Sequence, residues 1–216
     1  MFHIRIADAE ASWVAEFDRE QAACYARYGA SGAITPPSHG DRTRYIAVMR
    51  DGTMVAGIRI HPKSPGVPLP FEAYLELGDD ARHELAWRAE DGVAELAGLW
   101  SSASVAGTGI GGYVVGAAVA VAPLHGLRHL CSFAHQFNRF TREVGFEPDA
   151  RVGEHAYPDR RYRSTLNWCD AVELATATPA VRERIFALRA AARAGGRHCL
   201  LPMPFQPTYP SASTAP

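Results

Sequence analysis

The chain has almost no lysine: Lys63 stands alone against 21 arginines. It also has no excess charge of either sign. Its 22 basic and 23 acidic residues nearly cancel, leaving a formal net charge of -1. No global field therefore draws it to nucleic acid or to anionic lipid, and any charged ligand must be recognised locally. Cysteine is scarce. Cys24, Cys131, Cys169 and Cys199 form no Cys-x-x-Cys pair and have no histidine at zinc-site spacing, which excludes a zinc ribbon and leaves no bound metal expected. They read as reduced thiols of a cytoplasmic protein. Long apolar runs are missing too. The longest, residues 113–124, is too short to span a bilayer. The first eight residues alternate like a strand and lack the apolar centre of a signal peptide.

What is present describes a globular domain. The 47% hydrophobic and 21% charged composition excludes a disordered chain. A length of 216 residues suits one domain that buries its core without staples. Alternation predicts strands over 2–7, 45–49, 54–60, 93–101, 127–134, 150–156 and 162–169, with Asp51-Gly52 as a hairpin turn. Three- and four-residue periodicity predicts helices over 12–28, 81–90, the alanine-rich stretch ending near Pro123, 136–143 and 179–193. Glycines and prolines between 29 and 40 mark a loop, and four prolines keep 62–70 irregular. Adjoining strands with interspersed helices predict a mixed-sheet α/β domain.

The segment that carries chemistry joins strand 93–101 to a glycine turn, Gly107-Thr108-Gly109-Ile110-Gly111-Gly112, which opens a helix. Glycines let a backbone turn tightly and approach a ligand. The free N–H groups and the positive end of the helix dipole then stabilise a phosphate. A nucleotide P-loop needs Gly-Lys-Ser/Thr, and Gly111-Gly112-Tyr113 does not supply it. The spacing Gly107-x-Gly109-x-x-Gly112 fits a dinucleotide fingerprint formally, but it lies in mid-chain and no acid ends the next strand. A plain helix start with packing glycines remains the alternative.

Residues 99–111 resemble the fourth strand and acyl-CoA-pyrophosphate motif of the GNAT superfamily of N-acyltransferases. Ala106-Gly107-Thr108-Gly109-Ile110-Gly111 occupies the Arg/Gln-Gly-x-Gly-x-Gly/Ala pattern, with Ala106 in place of the usual basic or amide residue. Downstream, Phe140-Thr141-Arg142-Glu143-Val144-Gly145-Phe146 is similar to the family's Phe-Tyr-x-x-x-Gly-Phe, with Thr141 where many members carry a tyrosine acid. The order of elements over 2–171 matches. Within the superfamily the layout is similar to the N-acyl-amino-acid and acyl-homoserine-lactone synthases, which carry an arginine late on the third strand and Glu-Leu-Ser-Arg-Phe on the fourth. Arg59 and Glu95 match that pattern; Gly98 replaces its arginine and argues against lactone synthesis.

The resemblance implies a GNAT-like α/β fold: a mostly antiparallel sheet of six or seven strands flanked by helices. It implies an acyltransferase domain over 2–171, a C-terminal helix over 179–194 packed on it, and a flexible tail over 202–216. It implies a donor, acyl-CoA or acyl-carrier protein, held along Leu99, Trp100 and Ser101 and on the N–H groups of Gly107, Thr108, Gly109, Ile110, Gly111 and Gly112. A small amine or amino acid would accept the acyl group, with no metal.

Glu95 sits among apolar neighbours, where desolvation raises a carboxyl pKa and suits it to act as general base. The alternative is a structural acid paired with an arginine. His135, just past a strand end, is the second base candidate. Arg59 and Arg161 are candidates for a substrate carboxylate, Arg161 also for an acidic carrier protein. Cys131 reads as core rather than nucleophile. Residues Val67, Leu69, Phe71, Tyr74 and Leu75 could line an acyl pocket or simply cover the sheet edge. The rival reading is a protein that keeps the fold, binds an acyl thioester or a partner, and has lost the chemistry.

Overall fold

A computed structural model describes residues 2–8, 11–30, 42–135, 139–158, 160–195 and 201–202. Residues 31–40 of the loop expected between 29 and 40, residues 136–138 of the helix expected over 136–143, Cys199 and the tail beyond Pro202 lie outside the described residues.

The chain opens with β1 (Phe2–Asp8) and α1 (Val14–Arg27). A hairpin of β2 (Arg44–Arg50) and β3 (Thr53–Pro62) follows. Its turn residues Asp51 and Gly52 have φ of 51° and 83°, which matches the twist of the flanking strands. A 3-10 turn over Pro70–Ala73 leads to α2 (Asp79–Glu90), whose first turn carries Asp79 and Asp80 where the helix dipole favours them. Then come β4 (Val93–Ser101), α3 (Ile110–Val121), β5 (His129–His135) and α4 (Arg139–Val144). The chain continues through β6 (Glu147–Pro148), β7 (Glu154–His155), β8 (Ser164–Asp170), α5 (Pro179–Gly195) and β9 (Leu201–Pro202).

All strands join one sheet in the order β6-β8-β5-β4-β3-β2-β1-β9, with β7 also on β8. The six long strands are those expected; three two-residue strands at its margins raise the number. Pairing is antiparallel throughout except between β4 and β5. The strand expected over 150–156 shrinks to Glu154–His155. Asp149 causes this: its carboxylate accepts the Arg151 backbone N–H at 3.0 Å, and its carbonyl accepts from Val152 at 3.2 Å. The chain therefore coils before Gly153, with φ 75°, lets it extend.

One face of the sheet packs on α3 through Ile46, Ile58, Ala94, Leu96 and Leu130. Apolar on every side, α3 is sandwiched between that face and α5, which contributes Ile185, Leu188 and Ala192. The other face is divided. Phe17 of α1 and Trp13, just before the helix, cover Tyr45, Ala47 and Trp100. Leu69, Phe71 and α2 cover Val93, Cys131, Leu166 and Trp168. Phe17 lies so close that a Cβ on Gly57 would stand 2.3 Å from its Cε2.

Candidate active site

The site arises where β4 and β5 part. Their parallel pairing runs through Val93–His129, Ala94–Leu130 and Glu95–Cys131, and then stops. The cause is in β4. Its register against β3 shifts between Gly57–Trp100 and Arg59–Ala97, so one extra residue bulges near Gly98, whose φ is 70°. A left-handed residue at a bulge is the conformation glycine supplies without strain. The bulge bends the strand, and α1 fastens it: Gln21 Nε2 donates to the Gly98 carbonyl at 2.9 Å and the Tyr25 hydroxyl to that of Leu99 at 3.3 Å. Gly98 thus sits at the bulge beside which the two strands part.

A cavity of about 720 Å³ fills the fork. Glu95 lies at its inner end, 4% exposed, and its Oε2 accepts the backbone N–H of Phe71 at 2.6 Å. Burial drives its pKa up to about 8, the Phe71 N–H opposes this, and the charge of Glu72 adds to it. Cys131, directly opposite, is fully buried, and its thiol is pushed well above the ordinary range by burial and by Glu95. It stays protonated and cannot serve as a thiolate nucleophile.

At the other end the glycine turn meets α3. Gly109 caps the helix with φ 77°, and Gly107 has φ 74°. Gly107, Gly109, Ile110 and Gly111 line the cavity. Thr108 and Gly112 are turned into local bonds, Thr108 N–H and Oγ1 to the Val105 carbonyl and Gly112 N–H to that of Gly109. The N–H groups of Ile110 and Gly111 begin the helix and have no intrahelical acceptor. No acid occupies that first turn to oppose an anion.

Leu99, Trp100, Ser101 and His135 also line the cavity. The Trp100 indole packs on Phe17, ring centroids 5.5 Å apart, so it belongs to the core beneath the wall. His135 meets Tyr162 edge-on at 5.6 Å. The two arginines do not join them. Arg59 is buried under the rings of Phe17 and Tyr45 and paired with Asp18 at 2.6 Å. Arg161 lies exposed beside the mouth, its Nη2 donating to the Gly29 carbonyl at 2.9 Å. Of the apolar residues after Pro62, Phe71 and Tyr74 reach the cavity, while Leu69 and Leu75 are spent on the core. Sequence reasoning missed Arg27 and Arg50, which reach the β4–α3 connection through the carbonyls of Ser101 (2.9 Å) and Ser104 (3.3 Å). It also missed an aromatic wall of Tyr74, Tyr157 and Phe133, with centroids 4.6 and 5.1 Å apart. Among the described residues no cluster of metal-ligating side chains occurs, and no helix is long and apolar enough to cross a membrane.

The overall fold is shared with solved structures. FeeM, an N-acyl amino acid synthase from uncultured soil microbes, matches with a TM-score of 0.61 over 85% of this chain and 99% of its own, at 14% identity. The chain has the fold of the GNAT N-acyltransferases. BjaI, a CoA-dependent acyl-homoserine lactone synthase solved with SAM and isopentyl-CoA, matches over 86% of this chain and 90% of its own. Its identity is 12% and its TM-score 0.58. An acyl-CoA N-acyltransferase from Pseudomonas aeruginosa matches at 15% identity over 78% of this chain and 99% of its own, TM-score 0.51. No protein-family model and no curated protein matches the chain. At these identities the GNAT likeness is one of fold, and the chemistry must come from this chain's own cavity.

Proposed function

We propose that this GNAT-fold protein is an N-acyltransferase that moves an acyl group from a thioester of coenzyme A or of an acyl carrier protein to a small amine. One observation carries the reading: a single cavity joins unpaired N–H groups at the start of α3 to a buried carboxyl of pKa about 8. The first suits the donor's phosphates. The second suits an amine that must lose a proton. The CoA-dependence of BjaI supports a CoA-type donor on this fold. Arg27 and Arg50, close to the β4–α3 connection, stand in for the missing basic residue at Ala106. The exposed Arg161 at the mouth suits contact with an acidic carrier protein.

The chemistry needs one step. The amine nitrogen attacks the thioester carbonyl carbon, a C–N bond forms, and the C–S bond breaks. The sulfur leaves as thiolate with the bonding pair. The amine proton passes to the Glu95 carboxylate, directly or through a water it holds, with His135 as the second base. An N–H of β4 facing the fork polarises the carbonyl. Cys131, held as a thiol, takes no part, so no acyl-enzyme forms on it.

A second reading is favoured by Thr141, which lines the cavity at the position where many members of the resembled family carry a tyrosine. It makes the protein a binder of acyl thioesters without turnover. Free-thiol detection with donors from two carbons upward, across a panel of amines, separates the two. Thiol release that requires an amine and equals the amide formed is expected. Tight donor binding without release under any amine gives the second reading.

A further inference from the structure

The turn that holds Glu95 carries an ion pair of its own, set back from the cavity. Lys63 continues the pairing of β3 with β4, its backbone N–H donating to the Val93 carbonyl at 2.8 Å. Its Nζ pairs with Glu72, whose Oε2 also accepts the Leu69 N–H at 2.5 Å. Leu69 and Glu72 bracket Pro70-Phe71, and the Phe71 N–H between them donates to Glu95 at 2.6 Å. Pro70, Phe71 and Glu95 line the cavity; Lys63 and Glu72 stand behind that lining.

A carboxylate near Glu95 disfavours its charged form, and an ammonium beside that carboxylate offsets the effect. The side chains of Lys63 and Glu72 are 26% and 21% exposed, so water screens them only in part. Other titratable groups surround Glu95. His61 stands directly opposite on β3 and Cys131 on β5, Tyr157 with Tyr74 forms the nearby wall, and His135 lines the same cavity. Glu72 differs from these in acting on Glu95 in two opposed ways. Its hydrogen bond to Leu69 braces the turn whose N–H stabilises the Glu95 carboxylate, and its charge disfavours that carboxylate.

Resting on the acyl-transfer reading, we infer that Lys63 and Glu72 are positioning residues that together set the pH at which Glu95 takes the proton of the attacking amine. Glu72 pushes that pH up, and Lys63 holds it down by neutralising Glu72. Neither residue meets substrate; both act through the Phe71 turn and through the field at the Glu95 carboxyl. The chain's only lysine thus has a place in the chemistry.

Two readouts test this. One is kcat/KM for amine-dependent thiol release against pH; the other is the NMR titration of the Glu95 carboxyl carbon in protein labelled with ¹³C-glutamate, assigned by its loss in Glu95→Gln. Glu72→Gln keeps an oxygen for the Leu69 N–H and removes the charge, so the rate limb and the titration should both move down by about half a pH unit or more. Lys63→Met leaves Glu72 unneutralised, and both should move up. Lys63→Arg keeps the charge and should stay at the wild-type position. If Lys63→Met does not fold, the double variant Lys63→Met/Glu72→Gln must still titrate above Glu72→Gln. A pair that merely braces the turn lowers rate or stability without moving the limb in opposite directions. Shifts of one sign in both single variants, or no shift, therefore overturn the inference and leave acyl transfer standing. Absence of amine-dependent thiol release from every donor and amine removes the acyl-transfer reading, and this inference with it, whatever the carboxyl titration gives.

Discussion

The backbone N–H of Phe71 donates to Glu95 Oε2 at 2.6 Å, across 24 residues of sequence. The turn that presents it is clamped from within. Glu72 Oε2 accepts the Leu69 N–H at 2.5 Å and pairs with Lys63, the chain's only lysine. One donor is too little to offset complete burial, so Glu95 holds its proton to about pH 8. His61 stands opposite it on β3, and Cys131 on β5.

Stability should record this directly. The folded pKa of about 8 lies above the ordinary 4.5, so between those values the folded chain keeps a proton that the unfolded chain releases. Glu95 therefore makes stability fall as pH rises from about 4.5 to 8, by a few kcal/mol in all. Glu95→Gln keeps the acceptor for Phe71 and removes the fall. Urea midpoints of variant and wild type should agree near pH 4.5 and diverge by pH 8.5, with the variant more stable. Parallel curves would contradict the buried, protonated carboxyl. Asp149 and Asp170, whose pKa values are lowered, affect both proteins alike.

Gly109 should be indispensable to donor binding. Its φ of 77° is strained for any side chain, and a branched one would crowd the N–H groups of Ile110 and Gly111. Gly109→Val should abolish acyl-CoA binding in calorimetry while circular dichroism keeps its native form. Unchanged affinity would detach the donor from this turn.

How far the site was legible follows from the distances involved. The strand, glycine turn and helix are contiguous, so Glu95 and the glycine turn could both be singled out within 93–112, and the structure brings them to one cavity. Arg27 and Arg50 were not legible, because 74 and 54 residues separate them from the carbonyls they meet. Only the fold brings α1 and β2 beside the connection. The surroundings of Arg59 were illegible for the same reason: Phe17 and Asp18, which hold it on β3, come from α1, with 41 residues between Arg59 and Asp18. The strand expected over 150–156 failed because alternation cannot see the Asp149 carboxylate closing a turn with Arg151.

Two glycines should behave oppositely on substitution. At Gly57 a Cβ would meet Phe17 Cε2 at 2.3 Å and the Ile46 carbonyl at 2.9 Å. Gly57→Ala should cost about 1–3 kcal/mol in urea unfolding, as overpacked cores do. At Gly116, inside α3, the nearest atom is Ile185 Cγ1 at 3.9 Å. Gly116→Ala should be neutral or stabilising by up to about 1 kcal/mol, because alanine loses less backbone freedom in a helix. Equal effects would mean that α1 does not sit where the core places it.

The account rests on Glu95 accepting the proton of an attacking amine. The decisive measurement is amine-dependent thiol release from an acyl thioester, followed from pH 6 to 9.5 in wild type and in Glu95→Gln. Wild-type kcat/KM should rise with pH through a limb near 8, as the carboxylate forms. The variant should lose that limb and turn over about 10²- to 10⁴-fold more slowly, with donor affinity nearly unchanged. Wild-type turnover in Glu95→Gln, with the same pH profile, would contradict it.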